Sequence, residues 1–389
     1  MIEIYGFSFS LLELIVFGVL LLAFMYQLYF YFRYLNGVLR YRTRIKNNKV
    51  SFLSEQPPVS VIICAKDEAE NLRKFLPFVL QQDYPDFEVI VINDGSTDET
   101  DILLKDLCEK HTNLRTTFVP VEAKNISTKK LGLTLGIKAA KYDWLLFTDA
   151  DCMPEDKTWI ANMARNFTDK TDFVLGYGAY LHKKGLLNKL ITFDTLFIAL
   201  QYMGMAVNKK PYMGVGRNLA YRKETFFAHK GFAATLQLAS GDDDLMVNKA
   251  ANATNTRIEI AADSITWSEP NTTYRGWFFQ KERHLSVSTF YSGISKYRLS
   301  LEPLSRGLFY LSLLACLILG NLIIQIGTAM LFLTRYMVQL AIVNGSAKHF
   351  GERKYILTLP VFDIFLPLVS LFIFTVGRVT SKGKNVRWK

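Results

Sequence analysis

Val59-Ser60-Val61-Ile62-Ile63-Cys64 is a short run of apolar, mostly β-branched residues, the composition of a strand buried on both faces. Residues 89–92 form a second such run and residues 144–147 a third. Between the first two lies a helix-like stretch with Glu70, Asn71 and Leu72 near its start. Strands separated by helical stretches predict a mostly parallel α/β sheet flanked by helices, with ligands at the carboxyl ends of its strands. The pattern extends from Pro57 to about Tyr291.

Outside those limits the chain turns apolar. Half of its 389 residues are hydrophobic, and they concentrate at the two ends. Residues 11–32 contain only Glu13 and Gln27 as strongly polar side chains, and about 20 apolar residues in a helix cross the hydrocarbon layer. A signal peptide carries its basic residues before the apolar run. Here Arg33, Arg40, Arg42, Arg44, Lys46 and Lys49 follow it, so the expectation is a retained anchor with its N-terminus outside. Residues 308–333 carry no charge, and the next charged residue is Arg335. They form either one tilted span or a hairpin that bends near Gly320 or Gly327 and returns through Val343. Residues 356–376 are a further apolar run, interrupted by Pro360, Asp363 and Pro367. Residues 191–207 are apolar but contain Asp194 and Gln201, and read as a helix in the core or at the membrane interface.

The net charge of +11 would suit a nucleic-acid binder. Its placement excludes that class, because the basic residues crowd beside the apolar segments, including Lys348, Arg353, Lys354 and the cluster from Arg378 to Lys389. That distribution places the flanking segments in the cytoplasm. The four cysteines, Cys64, Cys108, Cys152 and Cys316, lack metal-ligand spacing and read as reduced thiols.

Three acidic stretches carry candidate chemistry. Asn93-Asp94-Gly95-Ser96-Thr97-Asp98 has turn composition. At the end of a buried strand, Asp94 is also placed to accept hydrogen bonds from a nucleobase. Asp149 and Asp151 follow the strand at 144–147 and alternate with Ala150, so on an extended backbone both point to one side. Converging carboxylates repel unless a cation lies between them, and Mg²⁺ or Mn²⁺ favours such oxygen ligands together with nucleotide phosphates. Gly241-Asp242-Asp243-Asp244-Leu245 is either a solvated loop or the source of a general base, with Asp244 expected to cap the following helix. Gln280 and Arg283 share a helix face, where Arg283 either pairs with a neighbouring acid or donates to a diphosphate.

These pieces, in this order, resemble the membrane-associated glycosyltransferase family 2 proteins of GT-A fold, among them cellulose and hyaluronan synthases and ceramide glucosyltransferase. The resemblance rests on VSVIICAKDEAENL (59–72), QQDYPDFEVIVINDGSTDET (81–100), KKLGLTLGI (129–137), FTDADC (147–152), GVGRNLAYRK (214–223), GDDDL (241–245) and QKERH (280–284). It implies that Asp67 and Asp94 hold the base of a nucleotide-sugar donor and that Lys129 lies near its phosphates. Asp149 falls on the ribose side and Asp151 on the metal side of the Asp-x-Asp pair. Asp242 corresponds to the general base, with Asp243 as the alternative because Gly241 stands where an acid usually precedes it. Gln280 and Arg283 match the Gln-x-x-Arg-Trp motif, with His284 in place of the Trp.

The implied activity is inverting sugar transfer, dependent on Mg²⁺ or Mn²⁺, to a lipid, lipid-linked or glycan acceptor. The rivals are a processive polysaccharide synthase, a sugar nucleotidyltransferase and a non-catalytic membrane scaffold. The expected organisation is a membrane anchor (1–34), a basic linker (35–56), the GT-A domain (57–300), a membrane region of two or three segments (301–377) and a basic tail (378–389). The expected location is the inner (plasma) membrane, multi-pass, with the catalytic domain and the tail in the cytoplasm.

Overall fold

The computed structural model of the chain describes residues 2–4, 7–119 and 128–380. A hairpin of β1 (Ile2–Ile4) and β2 (Phe7–Phe9) precedes helix α1 (Leu11–Phe30). Ser10 and Glu13 close the start of α1 reciprocally: the Ser10 hydroxyl accepts from the Glu13 amide (3.1 Å), and the Glu13 carboxylate accepts from the Ser10 amide (2.7 Å). A π-helical turn, Tyr31–Leu35, leads into α2 (Gly37–Lys46).

The soluble region then alternates as β3 (Val59–Ala65), α3 (Ala69–Leu80), β4 (Phe87–Asn93), α4 (Thr100–Lys110), β5 (Leu114–Phe118), α5 (Thr128–Ala139) and β6 (Trp144–Phe147). It continues through β7 (Cys152–Pro154), α6 (Trp159–Ala164), β8 (Phe173–Leu175), β9 (Gly178–Tyr180) and α7 (Leu186–Val207). After these come β10 (Leu219–Arg222), α8 (Lys223–Ala228), α9 (Asp244–Ala250), β11 (Thr256–Ile258), β12 (Thr266–Ser268) and α10 (Tyr274–Ser288).

The main sheet has the order β11-β8-β10-β6-β3-β4-β5, and β10 alone runs against the others. A second sheet, β7-β12-β9, stands beside it. The two-residue side-chain period of a strand divides β3 between two cores. Ile62 and Cys64 join Leu133 and Ile137 of α5, whereas Val61 and Ile63 join Leu72 of α3 and Ile160 of α6. The uninterrupted apolar run is explained by that double burial. The three strands expected from sequence are β3, β4 and β6; the short strands of the second sheet are too brief and mixed to show a period.

Helix α7 is long and apolar enough to cross a membrane, yet 72% of its apolar window is buried in protein. It is a core helix, starting earlier than residue 191. Glycines allow α2 to lie against it: a Cβ on Gly37 would come within 2.5 Å of the Gly204 Cα, and one on Gly204 within 1.9 Å of the Tyr34 carbonyl oxygen.

After α10 come α11 (Gly293–Leu319), α12 (Leu322–His349) and α13 (Leu359–Thr380). The long uncharged run is a hairpin, not one tilted span. It breaks at Gly320 and Asn321, where the Asn321 side chain accepts from the amides of Ile323 and Ile324 (both 3.1 Å). Helices α1, α11 and α12 present exposed apolar side chains such as Leu22, Leu311 and Met330 and are long and apolar enough to span a bilayer.

Asp363, which interrupts the last apolar run, faces inward. It binds Arg335 (2.8 Å), Arg306 (3.2 Å), Gln339 (2.8 Å) and Tyr310 (2.6 Å), all from α11 and α12. Removing one partner of such a buried set leaves an uncompensated charge, at a cost of ~3–5 kcal/mol. The basic residues from Ser381 to Lys389 lie outside the described residues.

Candidate active site

The site gathers at the carboxyl ends of β3, β4 and β6. Asp67 follows β3 in a left-handed conformation (φ 52°). Its carboxylate accepts from the Thr97 amide (2.7 Å) and hydroxyl (3.1 Å), and the amide bond in particular holds its pKa below the ordinary range. Asp94 is buried at the end of β4. Burial raises its pKa, and the Thr128 hydroxyl, which donates to it at 2.7 Å, partly offsets that rise. Asp98, in the same turn, accepts from the Ala69 amide (3.0 Å) and from Thr100, so its role is local.

Thr128 opens α5, and the next residue, Lys129, bridges the two halves of the site. Its ammonium lies 3.0 Å from Asp242 and 3.6 Å from Asp149. Burial opposes that charge, but Asp242, Asp149 and Asp243 outweigh it and keep the lysine protonated. Lys130 points the other way and donates to the carbonyls of Thr235 (2.7 Å) and Ser240 (2.8 Å). It thereby ties α5 to the loop that delivers Asp242.

Asp149 and Asp151 offer carboxylate oxygens that, with the Cys152 sulfur, lie within 4.8 Å of one another. They converge through a turn and not through an extended strand: β6 ends at Phe147, and the Cys152 amide donates to the Asp149 carbonyl (3.1 Å). Burial, then the charge of Asp149, pushes Asp151 up to about 6. Hard oxygen donors crowded in this way fit Mg²⁺ or Mn²⁺. The Cys152 thiol is buried, held neutral by burial and the adjacent Asp151, and lies 2.9 Å from the Ser268 hydroxyl, so it is no ligand for such an ion.

The three consecutive acids have three distinct environments. Gly241 adopts φ 85°, and a Cβ there would lie 2.7 Å from Val287, which accounts for glycine at that position. Asp242 turns toward Lys129. Burial works to raise its pKa, but the lysine's charge and hydrogen bond lower it on balance. Asp243 caps α9, accepting from the amides of Asp244 (2.8 Å) and, across the site, Gly216 (2.7 Å).

The expected cap at Asp244 is thus displaced by one residue. Asp244 is instead buried and accepts from the Tyr291 hydroxyl (2.6 Å); burial, then Asp243, pushes it up to about 8. A carboxyl that titrates higher when folded than its usual 3.8 contributes stability fully present below that value and lost as pH rises toward 8. Asp244→Asn removes this dependence. The thermal midpoint of the unaltered chain, relative to that of the variant, should fall between about pH 5 and pH 8; a constant difference refutes the assignment.

Gln280 and Arg283 lie on α10. Gln280 donates to the Tyr180 hydroxyl (2.7 Å) and accepts from Asn271 (2.8 Å). The Arg283 Nε is buried without a hydrogen-bond partner among the described residues. His284 is exposed at the same helix face. Lys130, Tyr180, Arg217 and Tyr291 were given no role from sequence. GVGRNLAYRK contains Arg217, but nothing local distinguishes it from a surface arginine. The structure brings Lys129, Asp149, Asp242 and Asp243 around one recess. Asp67 and Asp94 lie at neighbouring strand ends, while Gln280 joins the site through Tyr180.

Residues 60–232 match the model for glycosyl transferase family 2. Over 139 residues the chain is 30% identical to the poly-beta-1,6-N-acetyl-D-glucosamine synthase of Staphylococcus epidermidis, which covers 35% of this chain and 32% of that protein. It is 29% identical over 144 residues to the Staphylococcus aureus synthase of the same name, covering 36% of this chain and 34% of that one. The matches therefore span about a third of these relatives' length. The fold is similar to that of a mannosyltransferase from Pyrobaculum calidifontis, solved with GDP-Man and Mn²⁺, with a TM-score of 0.60 at 18% identity over 96% of this chain and 100% of that one. With the strand order and the acidic site already described, these matches show a family 2 glycosyl transferase domain over residues 60–232, on a mostly parallel α/β fold similar to that of the mannosyltransferase.

Proposed function

We propose that this chain transfers a sugar, with inversion, from a nucleotide-diphosphate sugar to a lipid or lipid-linked acceptor at the cytoplasmic face of the membrane. The observation that carries the reading is the convergence of Asp149, Asp151, Lys129 and Asp242 at the carboxyl ends of parallel strands. The mannosyltransferase of similar fold, solved with GDP-Man and Mn²⁺, supports the donor class.

Asp67 and Asp94 hold the base, and Asp149 and Asp151 are the residues that would hold a divalent ion, which would supply charge to neutralise the diphosphate. Lys129 keeps Asp242 ionised. A donor phosphate that draws Lys129 away raises the basicity of Asp242 as the acceptor hydroxyl arrives. Asp242 then takes the acceptor proton while the acceptor oxygen attacks the anomeric carbon from the face opposite the diphosphate. Arg283, whose buried Nε has no hydrogen-bond partner among the described residues, stabilises the departing phosphates.

A membrane-side acceptor is supported by the setting of α10. Its Phe278 ring lies 6.2 Å from that of Phe372 on α13, and Phe279, Phe290, Ile294 and Tyr297 are exposed along its continuation into α11. Phe372 lies over two turns beyond Asp363 on α13 yet still meets the catalytic helix, which supports an α13 that runs along the inner face of the bilayer and keeps the tail inside. A polymer product is the second reading, favoured by the relatives named as polysaccharide synthases.

The test is to offer the full chain in native lipids a panel of nucleotide sugars, including UDP-GlcNAc and GDP-mannose, and to identify products by mass spectrometry. A singly glycosylated lipid is expected. A ladder of sugars selects the second reading, and no product from any donor refutes both.

Topology is tested separately by labelling introduced cysteines. Ser346 is fully buried and unsuited to this, whereas Lys348 and Leu322 are exposed. Lys348→Cys should react with an impermeant reagent only from the cytoplasmic side and Leu322→Cys only from outside; the reverse pattern overturns the orientation.

A further inference from the structure

A second cation stands beside the Asp149/Asp151 pair, and the mechanism above leaves it unused. Arg217 lies in the turn Gly216–Asn218, which feeds β10, the antiparallel neighbour of β6. That turn is held on several sides. The Asn218 side chain accepts from the Trp159 indole (3.1 Å) and donates to the carbonyls of Tyr177 (2.9 Å) and Ser264 (2.7 Å). The Arg217 carbonyl accepts from the Thr266 hydroxyl (2.9 Å).

The side chain is positioned as firmly. Its guanidinium carbon lies 4.1 Å from the centre of the Tyr180 ring, and Nη1 donates to the Ala179 carbonyl (3.2 Å). A Cβ on Gly178 would approach the Arg217 Cβ to 2.9 Å, so glycine there makes room for the arginine. Tyr180 is also the residue that Gln280 engages, so Arg217 and the α10 motif share one platform.

Arg217 forms no ion pair among the described residues, although Asp149 and Asp151 are close enough to help sustain its charge against burial. Other largely buried arginines here are paired: Arg165 with Glu259, Arg306 and Arg335 with Asp363. Leu219 pairs with Phe147, so the turn carrying Arg217 lies beside the segment carrying Asp149 and Asp151, and an arginine there with no ion pair among the described residues has donors left for an anion that arrives with a metal.

Charge balance indicates which anion. The Asp149/Asp151 pair cancels a divalent ion, and the two negative charges of a donor diphosphate then remain. Arg283 supplies one countercharge and Arg217 the other. When the bond from the anomeric carbon to the β-phosphate oxygen breaks, its electron pair adds a further negative charge there, while the acceptor proton passes to Asp242.

We propose that Arg217 binds the diphosphate of the nucleotide, beside Asp149 and Asp151. This rests on the glycosyltransferase reading and adds a phosphate ligand that the resemblance did not supply.

The experiment is equilibrium titration of the full chain in lipid nanodiscs, with Mn²⁺ present, by UDP and GDP and by UMP and GMP. Arg217→Ala should weaken binding of the diphosphate by ~10–100-fold, as loss of charge-assisted hydrogen bonds does, and change the monophosphate by less than ~3-fold. Arg217→Lys, which keeps the charge but not the fork, should fall between. Equal losses for mono- and diphosphate assign Arg217 a structural role and overturn the proposal. Diphosphate binding unchanged in Arg217→Ala overturns it while leaving the glycosyltransferase reading intact. Failure of the unaltered chain to bind either diphosphate removes that reading and this proposal together.

Discussion

Asp242→Asn should lower sugar transfer by roughly 10²–10⁴-fold, the usual range for loss of a general base, while leaving nucleotide and metal binding nearly unchanged. Asn keeps the shape of the side chain and its contact with Lys129 but does not take up a proton. Asp242 and Asp243 were both candidates from sequence, and their surroundings now separate them. Asp243 has an amide donor on each oxygen, so its lone pairs are directed at backbone, whereas Asp242 faces a lysine that a donor phosphate can attract.

Asp243→Asn should therefore act mainly on stability. The amide side chain accepts on one oxygen only, and losing a cap interaction costs ~1 kcal/mol. Thermal midpoint, donor binding and turnover, measured on both variants, distinguish the roles. If Asp242→Asn turns over normally while Asp243→Asn binds donor without transferring it, the base is Asp243.

Removal of the divalent ion should abolish turnover, and Mg²⁺ or Mn²⁺ should restore it. The Asp149/Asp151 pair gives the reason. Burial and mutual repulsion already push Asp151 up to about 6, and a donor diphosphate brought beside it adds more negative charge than the single charge of Lys129 can balance. Asp151→Asn and Asp149→Asn should each weaken Mn²⁺ binding, read directly by titration with the metal before any donor is added. Asp149→Asn should also loosen Lys129 by removing one of the carboxylates it pairs with. Full activity in excess chelator would eliminate the metal role.

Several features were legible because they are local. A strand buried on both faces must be apolar at every position, so β3 and β4 announced themselves, as did a helix that faces lipid. That Asp149 and Asp151 lie close together was legible because they follow a buried strand directly. The turn that brings the pair together was misread as strand, since its four residues carry no periodicity. The cap on α9 was misplaced by one residue for a related reason: three identical acids offer no chemical contrast, and only Gly216, contributed by a different part of the chain, selects Asp243. In the membrane region, an uncharged run is the same in composition whether it is one span or two arms. Asn321, bonded to the amides that follow it, decides for the hairpin.

By itself, the sequence determined the layered α/β class, the apolar segments at either end, and the acids available to hold a metal and accept a proton. These follow from patterns with periods of two or about 3.6 residues, or from residue types adjacent in the chain. Tertiary structure alone decided which acid faces Lys129, that Asp244 is held by Tyr291, and that Arg217 lies on Tyr180 beside Asp149 and Asp151. Each of those depends on the approach of side chains from separate elements, where a shift of an ångström or two makes or breaks an ion pair, and no local periodicity encodes such distances.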